Sequence, residues 1–200
     1  MRVVALVAAS YFIGSLSPAY IVGRVMGGFD IREHGSGNAG TTNVMRLFGA
    51  KAAVLVLFLD LVKGMAAVLI GRFLGNEMTA VLCGMAAVLG HNWPIMMKFK
   101  GGKGVATTMG VGFMINAPLA WIGLGLAIVI IMATRYVSLA SIVCIPVWTL
   151  MLWATGAEMV HIYLGVALSL LAIVRHRNNI NRIINGTENR FDFKKKLNRS

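Results

Sequence analysis

Charged residues are scarce in this sequence, and acidic residues are the scarcest. Of its 200 residues only 13% are charged, with 7 acidic residues against 19 lysines and arginines, whereas 58% are hydrophobic. A soluble domain usually carries about 25% charged residues, so the polar shell of a soluble protein is missing here. The sequence therefore predicts an integral membrane protein.

Cysteine is also scarce, and its placement indicates no metal site. Cys83 and Cys144 both lie inside apolar runs, which is typical of packing residues rather than of a disulfide or a metal pair. No cofactor is expected. The net charge of +12 is first a topology signal, and it suits anionic headgroups or phosphate-bearing ligands. Nucleic acid is not expected as a partner, because the basic residues flank apolar runs and form no separate domain.

Six apolar runs have about the 20 residues that cross a hydrocarbon core of about 30 Å. They cover residues 3–23, 52–74, 78–97, 119–134, 137–155 and 159–174. Three basic intervals accompany them: Arg24 to Lys51, Lys98 to Lys103, and the tail from Arg175 to Arg199. All three should be cytoplasmic, but three runs separate the second interval from the tail and would place the tail outside.

A short extra helix resolves this conflict. Residues 104–115 are apolar and are followed by Asn116-Ala117-Pro118, and a proline is a frequent helix boundary. We therefore expect an all-α polytopic bundle of seven transmembrane helices, a single domain over residues 1–200, with the N-terminus outside and the C-terminus cytoplasmic. The alternative joins 104–134 and drops one later run, which gives five crossings with the same sidedness of the polar loops.

The stretch "GSGNAGTTNVMR", residues 35–46, has the composition of a phosphate cradle. Its glycines permit a backbone concavity that holds an anion, and a helix from Asn43 to Lys51 would direct its positive end there. Arg46 can bind a phosphate with two parallel hydrogen bonds. The alternative is a flexible connector, and the ending of a nucleotide P-loop is absent. The candidate ligand groups are Gly35, Ser36, Gly37, Asn38, Gly40, Thr41, Thr42 and Asn43.

Two further motifs are polar. In "HNWPIMMKFKGGKG", residues 91–104, lysines flank Gly101-Gly102, so the turn is either a second anion site or a positive anchor at a membrane exit. His91 either bonds within the bundle or lines the site. In "RHRNNINRIINGTENR", residues 175–190, a helix would put His176 and Asn179 on one face, and Glu188 would cap or pair with a cation there.

Polar residues within the apolar runs have less specific interpretations. Asp60 and Lys63 lie three residues apart in the second run. Because ionisable groups are costly in a membrane, they are expected to neutralise each other or to support the site from below. Ser138 and Ser141 can add hydroxyl contacts, although most serines in such spans bond only the preceding helical turn.

Taken in order, these motifs and "DLVKG" at 60–64 resemble the bacterial acyl-phosphate-dependent glycerol-3-phosphate acyltransferase family over nearly the whole chain. Thr41 departs from the alanine expected there. The resemblance implies that fatty acyl phosphate and sn-glycerol 3-phosphate give lysophosphatidate and phosphate, the first acylation of phospholipid synthesis, at the cytoplasmic face of the bacterial inner membrane. The partners would be these two substrates and membrane lipid, and the enzyme that forms the acyl phosphate is a candidate partner.

The resemblance also implies roles for residues. Ser36, Asn38, Thr41, Thr42 and Asn43 would hold the phosphoryl group of the donor, within a loop that includes Gly35, Gly37 and Gly40. Arg46, Lys103, Ser141, His176 and Asn179 would surround glycerol 3-phosphate and the reacting centre, with Gly102 at the turn and Ser141 preferred to Ser138. The glycerol hydroxyl would attack directly, and either a donor phosphate oxygen or His176 would take its proton. A transporter of a phosphorylated solute is the competing class, which the absence of internal repeats disfavours.

Overall fold

The computed structural model describes residues 1–191, and all regular secondary structure within that range is helical. The lysines from Lys194 to Lys196, part of the predicted basic tail, lie outside the described residues. The helices group into two compact units, one covering Met1–Ile115 and one beginning at Asn116. The prediction of a single domain stays a prediction.

The N-terminal unit contains six α-helices with short helical turns between them. They are α1 Arg2–Ser15, α2 Pro18–Val22, α3 Thr41–Phe48, α4 Ala50–Leu74, α5 Glu77–Asn92 and α6 Val105–Ile115. A π-helical turn at Gly23–Gly27 extends α2, and 3₁₀ turns lie at Ile31–Glu33 and Ile95–Met97. The loop of residues 35–40 therefore lies between a 3₁₀ turn and α3.

The first apolar run is interrupted, where the sequence predicted one helix over 3–23. Ser17 caps α2, its side-chain oxygen accepting a hydrogen bond from the Tyr20 amide at 3.3 Å, and Pro18 follows at the first helical position. Proline restricts the residue before it to extended backbone and removes a donor. The carbonyl of Leu16, at the end of α1, is consequently released from the helical hydrogen-bond ladder.

The predicted helix from Asn43 to Lys51 is confirmed except for a break at Gly49. α3 ends at Phe48, and α4 begins at Ala50. Gly49 between them has a φ of 84°, which is left-handed backbone that favours glycine and ends a helix. Two helices therefore meet at this glycine, and only the shorter one carries Asn43 and Arg46.

Small residues allow close helix packing in this unit. A Cβ at Gly90 of α5 would overlap the Tyr11 carbonyl of α1, and one at Gly110 of α6 would overlap the Leu61 carbonyl of α4. Backbones that approach this closely are typical of helix pairs in membranes, where van der Waals packing drives association. Each of these helix pairs is therefore held at a fixed separation and register.

The short helix α6 starts beside the middle of α4. A Cβ at Gly64, the fifteenth of the 25 residues of α4, would overlap the carbonyl of Thr107 near the start of α6. At the other end, Arg72 Nη1 donates to the carbonyl of Met114 at 3.0 Å. The 11 residues of α6 span about 16 Å. The turn that precedes α6 therefore lies beside the middle of α4 and not at its end.

The C-terminal unit contains α7 Ala117–Thr134, α8 Val137–Ala154, α9 Met159–Arg175 and α10 Arg177–Ile184. Asn116 caps α7 by accepting from the Leu119 amide at 3.1 Å, so the predicted boundary at Asn116-Ala117-Pro118 is confirmed. The axis bends by 60° between α9 and α10. His176 lies at this bend, so it and Asn179 do not belong to one regular helix, which the expected shared face required.

Five segments are long and apolar enough to cross a membrane, and a sixth if α9 and α10 form one span. The five are Arg2–Gly27, Ala50–Leu74, Glu77–Met97, Ala117–Thr134 and Val137–Ala154. α6 is apolar but shorter. The five segments, the α9–α10 pair and α6 together give the seven crossings that the charge distribution predicts. That number and the orientation of the termini stay predictions.

Candidate active site

The loop of residues 35–40 has the backbone of an anion cradle. Gly35 and Gly37 have φ values of 63° and 70°, in the left-handed region where glycine is favoured. Ser36 between them is exposed. The loop leads directly into α3, whose first residue is Thr41. Amides at a helix N-terminus attract anions, so this arrangement fits a phosphate group.

Asn43 braces the loop from within. Its Nδ2 donates to the carbonyls of Ile31 and His34 at 3.1 and 3.0 Å, and its Oδ1 accepts from the Ser36 amide at 2.9 Å. The residue is 1% exposed, and a Cβ at Gly35 would overlap its Oδ1. The sequence predicted Asn43 as a direct ligand, whereas in this structure its amide shapes the loop.

Thr41 offers a hydroxyl at the start of α3. Its Oγ1 is buried and has no hydrogen-bond partner among the described residues. A buried hydroxyl without a partner costs free energy, so an acceptor at this position would be stabilising. This observation agrees with the predicted phosphate contact, while Asn38, Gly40, Thr42 and Arg46 stay predicted ligands at the same loop and helix.

Arg32 connects this loop to the second motif. Its Nη1 donates to the carbonyl of Met97 at 2.8 Å and of Lys100 at 3.4 Å, and its Nη2 pairs with Asp30 at 2.6 Å. The hydrogen bonds from Arg32 hold the pKa of the Asp30 carboxyl below its ordinary value. The guanidinium therefore ties residues 97–100 to the segment that leads into the cradle.

Gly102 brings the two motifs into contact. A Cβ at this position would overlap His91 Nε2 and would lie 2.8 Å from the Ala39 carbonyl oxygen. The Gly102 amide donates to the His91 carbonyl at 3.1 Å. Only glycine fits between the imidazole and the cradle, so Lys103, the next residue, starts from a fixed position beside the loop.

Behind this turn lies a buried polar cluster of Asp60, Lys63 and His91, which we call the buried triad. Lys63 Nζ lies 2.7 Å from Asp60 Oδ1 and 2.8 Å from His91 Nδ1. The three residues are 1%, 7% and 6% exposed. The predicted pairing of Asp60 with Lys63 is confirmed, and His91 bonds within the bundle.

In the C-terminal unit, Glu188 organises a second polar cluster. Its Oε1 accepts from Asn179 Nδ2 at 2.7 Å and from Ser138 Oγ at 2.8 Å, and its Oε2 accepts from Arg182 Nε at 2.8 Å. Burial acts to raise the pKa of Glu188, but these hydrogen bonds outweigh it and hold the pKa below the ordinary value. The predicted pairing of Glu188 with a cation is confirmed.

His176 occupies the joint between α9 and α10. It is 2% exposed, and its Nδ1 lies 2.8 Å from the Ala172 carbonyl oxygen. A carbonyl can only accept, so Nδ1 carries the proton and the neutral ring has its lone pair on Nε2. This is the tautomer that a proton acceptor at Nε2 requires.

The two serines of α8 have different partners. Ser138 donates to Glu188, as above, whereas Ser141 Oγ donates to the Val137 carbonyl of its own helix at 3.0 Å. The structure therefore joins Ser138 to Asn179 through a shared carboxylate. Ser141 makes the local bond that is usual for serine in a span, and its contact with substrate stays a prediction.

Three contributors were missed from sequence: the clamp formed by Asp30 and Arg32, the brace at Asn43, and the link from His91 to Gly102. Short-range spacing gave no signal for Arg32, because its carbonyl partners lie more than 60 residues away. The Asp30-x-Arg32 spacing was readable, but it predicts only a local ion pair.

An all-helical membrane protein with an anion cradle beside a glycine–lysine turn is the class that this fold and site define. A family described as "Glycerol-3-phosphate acyltransferase" matches residues 4–186. The chain is 45% identical to a glycerol-3-phosphate acyltransferase of Alkaliphilus metalliredigens, covering 93% of this chain and 94% of the relative. It is also 45% identical to one of Halalkalibacterium halodurans, covering 95% and 96%.

Solved structures show the same fold. The glycerol 3-phosphate form of PlsY (YgiH), an integral membrane glycerol 3-phosphate acyltransferase, superposes with a TM-score of 0.94 at 37% identity over 100% of both chains. Its lysophosphatidic acid form gives 0.89 over 96% of both. The chain therefore belongs to the glycerol-3-phosphate acyltransferase family, and it is an integral membrane acyltransferase of phospholipid biosynthesis.

Proposed function

We propose that this protein transfers a fatty acyl group from acyl phosphate to the 1-hydroxyl of sn-glycerol 3-phosphate at the cytoplasmic face of the bacterial inner membrane. The observation that carries the proposal is the close approach, at Gly102, of the glycine-rich loop of residues 35–40 to the Gly101–Lys103 turn, two segments whose composition suits phosphate binding. Two adjacent phosphate sites suit a reaction in which both substrates carry phosphate. The homologous structures with glycerol 3-phosphate and with lysophosphatidic acid support one substrate and the product.

The reaction balances without a cofactor. The glycerol 1-hydroxyl oxygen attacks the acyl carbonyl carbon, and a new ester bond forms. The bond from that carbon to the phosphate oxygen breaks, and its electron pair leaves with the phosphate. The hydroxyl proton passes to a phosphate oxygen of the donor, with His176 Nε2 as the competing acceptor. The donor is already activated, so positioning and charge stabilisation provide the rate enhancement.

The residues have separate roles in this scheme. The phosphoryl group of the acyl phosphate accepts hydrogen bonds in the cradle from Ser36, Thr41 and Thr42. Asn43 keeps the cradle in its shape. Arg46 and Lys103 balance the charge on the phosphate groups. Asn179 and Ser141 contact glycerol 3-phosphate, and Glu188 orients Asn179.

The acyl chain requires an apolar surface that is open to lipid. An apolar groove of about 480 Å³ lies between α1 and α5. Its lining residues include Val4, Ala8, Phe12, Leu82 and Leu89. Trp93 follows α5, one turn beyond Leu89. Its carbonyl accepts a hydrogen bond from Tyr11 Oη at 2.6 Å. We propose that the acyl chain of the substrate lies along this groove.

Phosphate release separates this function from the transporter alternative. Purified protein in detergent receives acyl phosphate and glycerol 3-phosphate, and inorganic phosphate is followed over time. We expect release that depends on both substrates. In sealed vesicles, uptake of labelled glycerol 3-phosphate without phosphate release would instead identify a transporter.

A further inference from the structure

The buried triad of Asp60, Lys63 and His91 reaches Gly102 through the His91 ring. The proposed acyl-transfer step assigns no role to its members. A buried ion pair in a membrane is costly to maintain. The contacts of Lys63 indicate what the cluster does.

Lys63 makes two hydrogen bonds and one ion pair. An ammonium group has three donors and no acceptor. Nζ lies 2.7 Å from Asp60 Oδ1, 2.8 Å from the Leu16 carbonyl oxygen and 2.8 Å from His91 Nδ1. The Leu16 carbonyl is the one released where α1 breaks before Pro18. One side chain thereby connects α1, α4 and α5.

The same contacts define the tautomer of His91. Nδ1 is closer to Lys63 Nζ, at 2.8 Å, than to Asp60 Oδ1, at 3.3 Å. An ammonium cannot accept a hydrogen bond, so with Lys63 charged we assign Nδ1 as the acceptor and the ring proton to Nε2. That nitrogen is the atom that a Cβ on Gly102 would overlap. The ring edge held by Lys63 therefore supports the turn directly.

We propose that the buried triad is a positioning unit for the Gly101–Lys103 turn, in which Asp60 and Leu16 orient Lys63, Lys63 orients His91, and His91 sets the place of Gly102 and Lys103. The inference rests on the proposed function, because it assigns the turn to glycerol 3-phosphate. The three residues touch no substrate, and they act through the position of the lysine that does.

Charge neutralisation alone does not account for this geometry. An Asp60–Lys63 pair would cancel its charge without a bond to His91. Replacing a buried pair by apolar side chains is often neutral for stability. A double variant, Asp60→Leu/Lys63→Met, therefore removes the support of His91 without leaving an unpaired buried charge.

The kinetic test compares the two substrates separately. We expect the double variant to fold with a lower unfolding temperature, because the Leu16 carbonyl and His91 Nδ1 lose the Lys63 donor. It should raise the KM for glycerol 3-phosphate at least about tenfold, since small misplacements of a binding group cost this much. The KM for acyl phosphate should stay within about twofold. The matched control is Glu77→Gln, which removes the ion pair with Arg72 near the C-terminal end of α4, 2.6 Å long, leaves the Arg72 bond to Met114 in place, and should change neither value.

Two kinetic results would overturn the proposal: wild-type values for both substrates in the double variant, or an equal rise in both. Nitrogen-15 spectra of labelled histidine provide a second measurement, on the wild-type protein itself. We expect neutral His91 with its proton on Nε2. A proton on Nδ1 would show that Lys63 does not hold the ring, and this spectrum decides the matter if the double variant does not fold.

The same measurements separate the inference from the proposed function. If wild-type protein releases no phosphate from acyl phosphate, the proposed function fails. Calorimetric binding of glycerol 3-phosphate still tests the triad, because the double variant should bind it at least about tenfold more weakly. Equal binding by both proteins would contradict the positioning role.

Discussion

Glu188 and Asn179 are joined by a hydrogen bond of 2.7 Å from Asn179 Nδ2 to Glu188 Oε1, and both side chains are buried. The same oxygen accepts from Ser138, and the other carboxylate oxygen accepts from Arg182. One carboxylate thus connects α8, α10 and the segment that follows α10. Ser138, Asn179 and Arg182 are oriented by it.

Glu188→Ala should therefore destabilise the protein. It removes the carboxylate that accepts from the buried donors of Asn179 and Ser138, and losing the partner of a buried polar group costs about 1–3 kcal/mol. We expect a loss of about 2–4 kcal/mol in the free energy of unfolding, measured by denaturation in detergent. Glu158→Ala, at an exposed glutamate in the same unit, should change it by less than about 0.5 kcal/mol. Equal stability of the two variants would contradict the role of Glu188.

The Glu188 carboxylate also predicts that the stability of the folded protein falls at acidic pH. Its pKa in the folded protein lies below the ordinary value of 4.5, so its stabilisation is complete above that value and is lost as the pH falls through the folded-state pKa. Unfolding temperature measured from pH 6 downward should fall more steeply in the wild type than in Glu188→Gln. Parallel curves would show that this group does not titrate with unfolding.

Gly102→Ala should damage the site without unfolding the membrane helices. The added methyl group would overlap the His91 ring and press on the Ala39 carbonyl, which displaces Lys103. We expect the KM for glycerol 3-phosphate to rise at least about tenfold, measured from initial rates. Gly125→Ala is the control, because no atom lies within 4 Å of a Cβ there. An unchanged KM in Gly102→Ala would refute the contact as a determinant of binding.

Asn43→Asp should open the cradle. The carboxylate cannot donate to the carbonyls of Ile31 and His34, and it places a negative charge beside the expected phosphate. We predict a fall in kcat/KM for acyl phosphate of about a hundredfold. Asn181→Asp, at an exposed position of α10, is the matched control. Wild-type kinetics in Asn43→Asp would mean that the loop does not need its brace.

Labelling can test the proposed topology. Cys83 and Cys144 are buried, so they should react little with a maleimide. A cysteine introduced at an exposed position can therefore be labelled selectively. We expect Glu33→Cys and Asn178→Cys to react with an impermeant maleimide from the cytoplasmic side. Met78→Cys and Glu158→Cys, both at exposed positions, should react from the outside. Reaction of Glu33→Cys and Asn178→Cys from opposite sides would exclude a common cytoplasmic face.

Local signals in the sequence predicted much of this structure. Asn116-Ala117-Pro118 marked the start of α7 because capping and proline act within a few residues. The cradle was visible because its glycines and donors are contiguous. The Asp60–Lys63 pair followed from helical spacing and from the cost of a lone charge in a membrane.

The remaining features depend on contacts that are distant in sequence. Pro18 carries the same signal as Pro118, but the surrounding apolar run concealed the break. The direction of Asn43 into its own loop depends on the carbonyls of Ile31 and His34, which the loop itself positions. Arg32 bonds to residues more than 60 positions away, and helical periodicity carries no information about such a contact.

The choice of acyl donor tests the central claim most directly. Purified protein is given glycerol 3-phosphate with acyl phosphate, acyl-CoA or acyl-carrier protein, and lysophosphatidate and inorganic phosphate are counted in the same samples. We predict one lysophosphatidate for each phosphate released from acyl phosphate, and no product from the other two donors. Lysophosphatidate formed from acyl-CoA, or phosphate released without glycerol 3-phosphate, would contradict the account.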